Sequence, residues 1–343
     1  MSLSPNRERK RDSVVIHRFA VAIGAGAAAA LLFAVSATAS PIAMALAYLA
    51  PLPIMIATLG WGLDAGAIAA AVSAAALAVI AEPLSALAFA ASAAIPAWLL
   101  SAFAITPVRR YFPRRDANAP AFASVGAVVA LAAVIAMLAA VAVLTTLIVV
   151  YHGYGEAAKK VMAALTDAIA AETASIGEES VPAKPFAEAL VQWGPAAIAA
   201  STLLMLCVNL YAAARSTQLS QSLGRPWPDL PTSFAIPWPF GVALIACAAG
   251  AAFLPLPASQ FASIGAGGLG GAFVLQGLAV AHALSRGLKL RPVMLVALYL
   301  CCILRAKYTL PALAALGVID AFTRLRSRVA ALPTGHPKPQ NRS

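Results

Sequence analysis

Ten apolar stretches that could lie in a bilayer, whose hydrocarbon an α-helix crosses in roughly 20 residues, run through this chain. Its positive charges are sorted between them. Nineteen of the 24 Lys and Arg fall in alternate gaps and the two tails, three in the other gaps, and two inside an apolar stretch. Basic residues collect on the cytoplasmic side of polytopic membrane proteins. The alternation predicts an all-α transmembrane bundle of about ten spans (range about 8–10), with both termini cytoplasmic.

Composition agrees. The chain is 62% hydrophobic and 11% charged, with a mean hydropathy of +0.85. Soluble domains carry about 25% charge. The net charge of +11 does not point to nucleic acid, because the bases sit at the ends of apolar spans and form no groove-reading motif. They read as anchors against anionic headgroups of the lipid bilayer, which is the expected partner. Cys207, Cys247, Cys301 and Cys302 all lie in apolar stretches without metal-site spacing, and they read as small apolar filler.

The N-terminus imitates a signal peptide: Arg7, Arg9, Lys10 and Arg11, then an apolar run, then Ala37-Thr38-Ala39. The run 19–39 is as long as a full span, whereas a signal core has ~7–15 residues. It is expected to be an uncleaved first helix. Residues 1–18 are then a basic cytoplasmic tail, 19–323 the transmembrane domain, and 324–343 a second basic tail with the composition of a disordered segment. Within the domain, 152–192 is the sizeable polar insertion. Val161, Met162, Leu165 and Ile169 fall at helical spacing there, which predicts an amphipathic helix on the outer surface. Pro182 and Pro185 are expected to interrupt it. Residues 292–323 contain Arg305, Lys307 and Pro311. Two short helices with a turn near 305–309 return the basic tail to the inside and let both cations snorkel to water.

No motif fixes a reaction. Gly265, Gly267 and Gly270 spell G-x-G-x-x-G, but mid-span, where the strand–turn–helix context of a dinucleotide site is missing. Ser263, Gly267 and Gly271 recur every four residues, a spacing that opens a groove for another backbone. Gly24 with Ala28, or Gly26 with Ala30, repeats the pattern in the first span. The four histidines are scattered, no Ser or Cys has an evident His and acid set, and no Walker A run occurs. The sequence therefore calls for no cofactor, no metal and no catalytic residue. Asp64 and Glu82 sit in tight turns, where they suit helix caps.

Polar features inside spans carry the rest. Pro51 and Pro53 remove two backbone donors in the second span and should leave carbonyls free, a break tolerated only in the protein interior or beside a cavity. Asn209 and Tyr211 lie near the inner end of the sixth span, Gln276 deep in the eighth, and His282 near the surface. If a substrate site exists, Pro51, Pro53 and Gln276 are its expected residues: carbonyl acceptors on one side, a carboxamide donor and acceptor on the other. The competing expectation is that Gln276 bonds another helix.

Three stretches resemble the bacterial membrane family DUF2232 (YybS-like): Pro51-Leu52-Pro53, Leu275-Gln276-Gly277-Leu278-Ala279 and Leu316-Gly317-Val318-Ile319-Asp320 before a basic tail. The resemblance spans about residues 18–330 and implies a multi-pass protein of the bacterial inner membrane. At a greater distance the family is similar to the substrate-capturing membrane subunits of energy-coupling-factor transporters. That similarity implies a small-molecule transporter or its substrate-binding subunit, with a small-molecule substrate and transporter partner subunits. The alternative is a non-transport membrane scaffold or assembly factor.

Overall fold

A computed structural model describes residues 5–38, 40–81, 83–108, 121–176, 183–226 and 228–326. Glu82, Trp227, the loop arginines 109, 110, 114 and 115, and the tail beyond Arg326 lie outside them. Among the described residues the chain is all helical, with one isolated bridge between Pro107 and Phe122. The helices are α1 (Pro5–Ala34), α2 (Pro41–Tyr48), α3 (Pro51–Trp61), α4 (Leu63–Ile80), α5 (Pro83–Phe89), α6 (Ile95–Ile105), α7 (Val125–Val150), α8 (Tyr154–Ile176), α9 (Ala183–Leu219), α10 (Leu230–Ser233), α11 (Trp238–Phe253), α12 (Ala258–Leu284), α13 (Arg291–Leu304) and α14 (Ala306–Thr323).

By length and composition seven segments are long and apolar enough to cross a membrane: Val15–Ala37, Ile42–Trp61, Leu63–Ile80, Pro83–Ile105, Val125–Val150, Lys184–Leu219 and Ala258–Leu284. Helices α11 and α13 are apolar but shorter; the 14 residues of α13 rise only ~21 Å, against a hydrocarbon core ~30 Å thick. Large apolar side chains such as Val79, Leu138, Phe253 and Ile303 are exposed on the perimeter. They suit contact with lipid, which solvates them at no cost.

Prolines set the local irregularities. Pro51 separates α2 from α3. Pro96 lacks the donor that would reach back one turn, and the chain absorbs this in a π turn over Ala90–Ala94. Pro182 lies outside the described residues, and Pro185 does not interrupt its helix: α9 runs from Ala183 through Pro195 to Leu219. Pro185 sits in the first turn, where its missing N–H costs nothing. Asp64 is not the cap of α4. Gly62 occupies that position at φ 103, without a side-chain cap bond, and Asp64 lies in the first turn, where the helix dipole favours an acid. The amphipathic helix of the polar insertion is α8, with Val161, Met162, Leu165 and Ile169 half-buried and Lys160 and Asp167 exposed. Region 292–323 is two helices, divided at Arg305 (φ −132, ψ 35).

The packing has two centres. Helices α1, α3, α4 and α6 gather on one side, and α12 is the column on the other, flanked by α7, α9, α11 and α14. Helix α9 touches both α3 and α12 and joins them. Much of the core is alanine, including Ala29, Ala57, Ala97, Ala133, Ala213 and Ala272. With so little side-chain volume, backbones come close. The expected Gly267–Gly271 groove is used: a Cβ on Gly267 would overlap the Ala196 carbonyl of α9. In α1, Gly26 meets Ala69 and Val72 of α4, whereas Gly24 faces open space.

The tightest crossing joins α12 to α14. A Cβ on Gly277 would overlap the Leu313 carbonyl, and one on Gly317 the Phe273 carbonyl. Forced overpacking costs ~1–3 kcal/mol. Gly277→Ala and Gly317→Ala should each lower unfolding stability in detergent by about that much, while Gly24→Ala, with nothing within 4 Å, should leave it unchanged or slightly raised. Equal stability of all three variants would contradict the crossing.

Candidate functional site

The α12–α14 crossing carries a buried polar cluster. Gln276 is fully buried and Asp320 is 3% exposed. The Gln276 carboxamide uses both ends. Its Oε1 accepts from the backbone N–H of Ile236 at 2.8 Å, and its Nε2 donates to the Gly317 carbonyl at 3.1 Å and to Asp320 Oδ2 at 2.9 Å. Arg326 completes the cluster, with Nη2 at 2.7 Å and Nε at 3.1 Å from Asp320 Oδ2. It reaches its partner because Arg324 ends α14 in the left-handed conformation (φ 53, ψ 45) and turns the chain back. The same guanidinium donates from Nη1 to the Pro231 carbonyl at 2.7 Å and from Nη2 to that of Phe234. Three side chains thus hold α12, α14 and the segment 230–236 together. A buried carboxylate needs such pairing, because its desolvation costs several kcal/mol.

The other expected site residues lie elsewhere. Pro51 is buried, Pro53 half-buried and Ala50 fully buried, so the break in the second span faces the interior. Leu52 N–H turns to the Leu49 carbonyl at 3.0 Å, which leaves the Tyr48 carbonyl without its usual helical donor. Asn209 of α9 supplies one: its Nδ2 donates to Tyr48 O at 2.8 Å and to Met205 O at 2.7 Å. Asn209 is 1% exposed and its Oδ1 has no partner. The structure therefore brings Asn209 to the Tyr48 carbonyl that the break at Pro51 frees, and Gln276 to Asp320. Helix α9 packs against both α3 and α12, which share at most marginal contact with each other.

Beside the buried cluster lies a cavity of about 510 Å³. Its walls are the end of α6, the start of α7, the 204–211 face of α9, the segment 225–234, the last turns of α12, and Tyr299 of α13. Leu230, Pro231 and Phe234 belong to the segment that Arg326 and Gln276 anchor, so the cluster fixes one wall. The lining is mainly apolar, with Tyr211, Arg225, His282 and Tyr299 as its polar side chains of note. Arg225 is partly buried. Its Nη1 donates to the Ala104 carbonyl at 2.5 Å and, at 3.5 Å, to that of Ala123. Its guanidinium lies 5.2 Å from the centre of the Phe122 ring, and its buried Nε has no partner. Burial pulls its pKa below the usual guanidinium value, which starts high enough to leave it charged at neutral pH. His282 Nε2 and the Tyr299 hydroxyl are 2.9 Å apart.

Asp229 does not enter the cavity's lining. Arg286 takes both its oxygens at 2.8 Å, and this hydrogen bonding, with help from Thr232, pulls the carboxyl down to about 2. The pair is exposed, so it adds little stability; its bidentate geometry sets where segment 225–234 meets the loop after α12. Among the described residues, no three His, Cys, Asp or Glu side chains gather into a set that could hold a metal ion.

By sequence Arg225 is one of the basic residues between spans and Tyr299 an aromatic in an apolar stretch, so neither is singled out. The available signal was local. Arg225 is a lone cation in the run Arg225-Pro226-Trp227-Pro228, far from the clusters that make ordinary anchors.

Losing Gln276 should orphan the Ile236 N–H and one Asp320 lone pair. A buried group left unpaired costs ~1–3 kcal/mol. Gln276→Leu should lower unfolding stability by at least that much with no ligand added, whereas Gln218→Leu at an exposed position should stay within ~0.5 kcal/mol. Parent-like stability of Gln276→Leu would show that these bonds hold nothing.

A family model described as "Predicted membrane protein (DUF2232)" matches residues 27–321. Residues 51–53, 275–279 and 316–320 all fall inside that range, and the last two stretches are the ones that meet at the buried cluster. No curated protein and no solved structure matches the chain.

Proposed function

We propose, for a chain that belongs to the DUF2232 family of predicted membrane proteins, that it captures a small molecule within the bilayer, as a transporter or as the substrate-binding subunit of one. The observation that carries this reading is the cavity. Its volume of about 510 Å³ falls in the ~300–1,000 Å³ range of small-molecule sites. Apolar walls with a few convergent polar groups are what such sites use for affinity and orientation. The distant similarity to substrate-capturing subunits of energy-coupling-factor transporters points the same way. The protein binds rather than catalyses in this account, and an energy-coupled cycle draws on partner subunits.

The charge bias of 19 basic residues against three supports cytoplasmic termini and a place in the bacterial inner membrane. If α11, α13 and α14 cross with the seven longer spans, the count is ten. The cavity then opens near the cytoplasmic leaflet, where Arg225 and the end of α12 lie.

Mass spectrometry of the detergent-purified protein, intact and after solvent extraction, tests the reading. A defined small molecule should leave with the extract at near-stoichiometric yield. It should be depleted in Ala279→Trp, which fills the cavity from α12, and in Val208→Trp, which fills it from α9. An extract free of any specific molecule, or the same molecule retained in both folded variants, would contradict the proposal.

A further inference from the structure

We propose that the cavity takes a single-chain anionic amphiphile, which enters from the lipid alongside α13 and seats its acidic head on Arg225. This rests on the reading of the cavity as a ligand site and names the class of its ligand.

Charge comes first. Among the described residues Arg225 is the one charged side chain in the lining. Its position is fixed on two sides, by the Ala104 and Ala123 carbonyls and by the Phe122 ring. A buried donor remains, Nε, with nothing to receive it. A carboxylate or phosphate oxygen satisfies such a guanidinium with charge-assisted hydrogen bonds. Among the described residues no carboxylate competes for it in the lining, and Asp229, four residues on, is engaged on both oxygens by Arg286. A cationic ligand would meet repulsion, and a neutral one would leave the guanidinium charge without a counter-ion.

The wall asks for the rest of the molecule. Val128, Leu204, Val208, Phe234 and Leu275 line it, and an inorganic anion would leave that surface without an apolar partner. An alkyl or isoprenoid chain covers it.

Access comes from α13. That helix has no buried residue, and among the described helices it packs to any extent only against α14. Val293, Val296, Leu300 and Ile303 are exposed. The hydrogen bond that ties it to α12 is the one between His282 and Tyr299, and both side chains line the cavity. The wall on this side is therefore a thin, lipid-facing helix held at one polar point. An amphiphile already dissolved in the bilayer reaches the cavity by passing that seam, with its chain never leaving an apolar medium.

The test uses the full-length protein in phosphatidylcholine nanodiscs and a tetradecyl phosphate bearing a photoreactive diazirine at the chain end. Labelled peptides are mapped by mass spectrometry. The competitors are plain tetradecyl phosphate, tetradecanol, tetradecyltrimethylammonium and inorganic phosphate. Label should fall on the cavity faces of α7, α9 and α12. Tetradecyl phosphate should compete at least about 10-fold better than tetradecanol, the factor that one good charge-assisted contact supplies. The ammonium and inorganic phosphate should compete poorly. Arg225→Gln should erase the preference for phosphate over alcohol, and Arg225→Lys, which keeps the charge, should retain part of it. Equal competition by alcohol and phosphate in the parent would overturn the anionic assignment and leave the cavity reading standing. Displacement by inorganic phosphate as effective as by tetradecyl phosphate would overturn the amphiphile. Absence of saturable label in the cavity, unaltered by Ala279→Trp, would overturn both.

Discussion

In hydrocarbon there is no water to receive a stray donor or acceptor, so every polar group must find its partner in the protein. The Gln276–Asp320–Arg326 cluster is where this constraint acts most strongly. The carboxylate of Asp320 sits 3% exposed at a helix crossing. Alone it would be untenable there. Arg326 neutralises it, Gln276 takes one of its lone pairs, and the remaining donors of the guanidinium reach the Pro231 and Phe234 carbonyls. Segment 230–236 has few helical hydrogen bonds of its own, so these contacts fix its path. That segment is a wall of the cavity, so the shape of the cavity follows from how a buried acid is satisfied.

The cluster can form only because α12 and α14 approach closely. Gly277 and Gly317 make that approach, as Gly267 does for α9 and Gly126 for the Ala235 carbonyl. Elsewhere alanine serves the same purpose. Apolar area alone drives no association between helices in lipid, so close packing and interhelical hydrogen bonds must supply what the hydrophobic effect supplies in water. Helix α13 shows the converse. It has no glycine, a single alanine and no buried residue, it is loosely attached, and it borders the cavity.

Much of this is legible in the sequence, because membrane helices announce themselves by length and apolarity. The division of 292–323 near 305 and the inward-facing break at Pro51 are both readable there. The groove at Gly267 is readable from its four-residue spacing. Partners are another matter. Periodicity says which face of a helix is small or polar, not which helix will meet it. Gln276 finds Ile236 and Asp320 across 40 and 44 residues of chain. Asn209 meets Tyr48 across 161. The pairing of Asp320 with Arg326 instead of Arg324 depends on a single left-handed residue at the end of α14, and arginine is not a residue whose preferences announce that turn. The cavity is wholly a product of these meetings. Pro51 and Gln276 are both buried and Pro53 half-buried, yet the break at Pro51 and the Gln276 carboxamide are satisfied separately, at Asn209 and at Asp320.

The most direct test of this account is a double-mutant cycle on Gln276 and Asp320, with reversible unfolding followed in mixed micelles. The parent, Gln276→Leu, Asp320→Leu and the double variant are compared. If the two side chains act as one unit, the double variant should be more stable than the sum of the singles predicts, with a coupling energy of at least ~1 kcal/mol, because the second substitution removes a group that the first has already orphaned. Additivity within ~0.3–0.5 kcal/mol would mean that Gln276 and Asp320 do not depend on each other, and the cluster would lose its place at the centre of the fold.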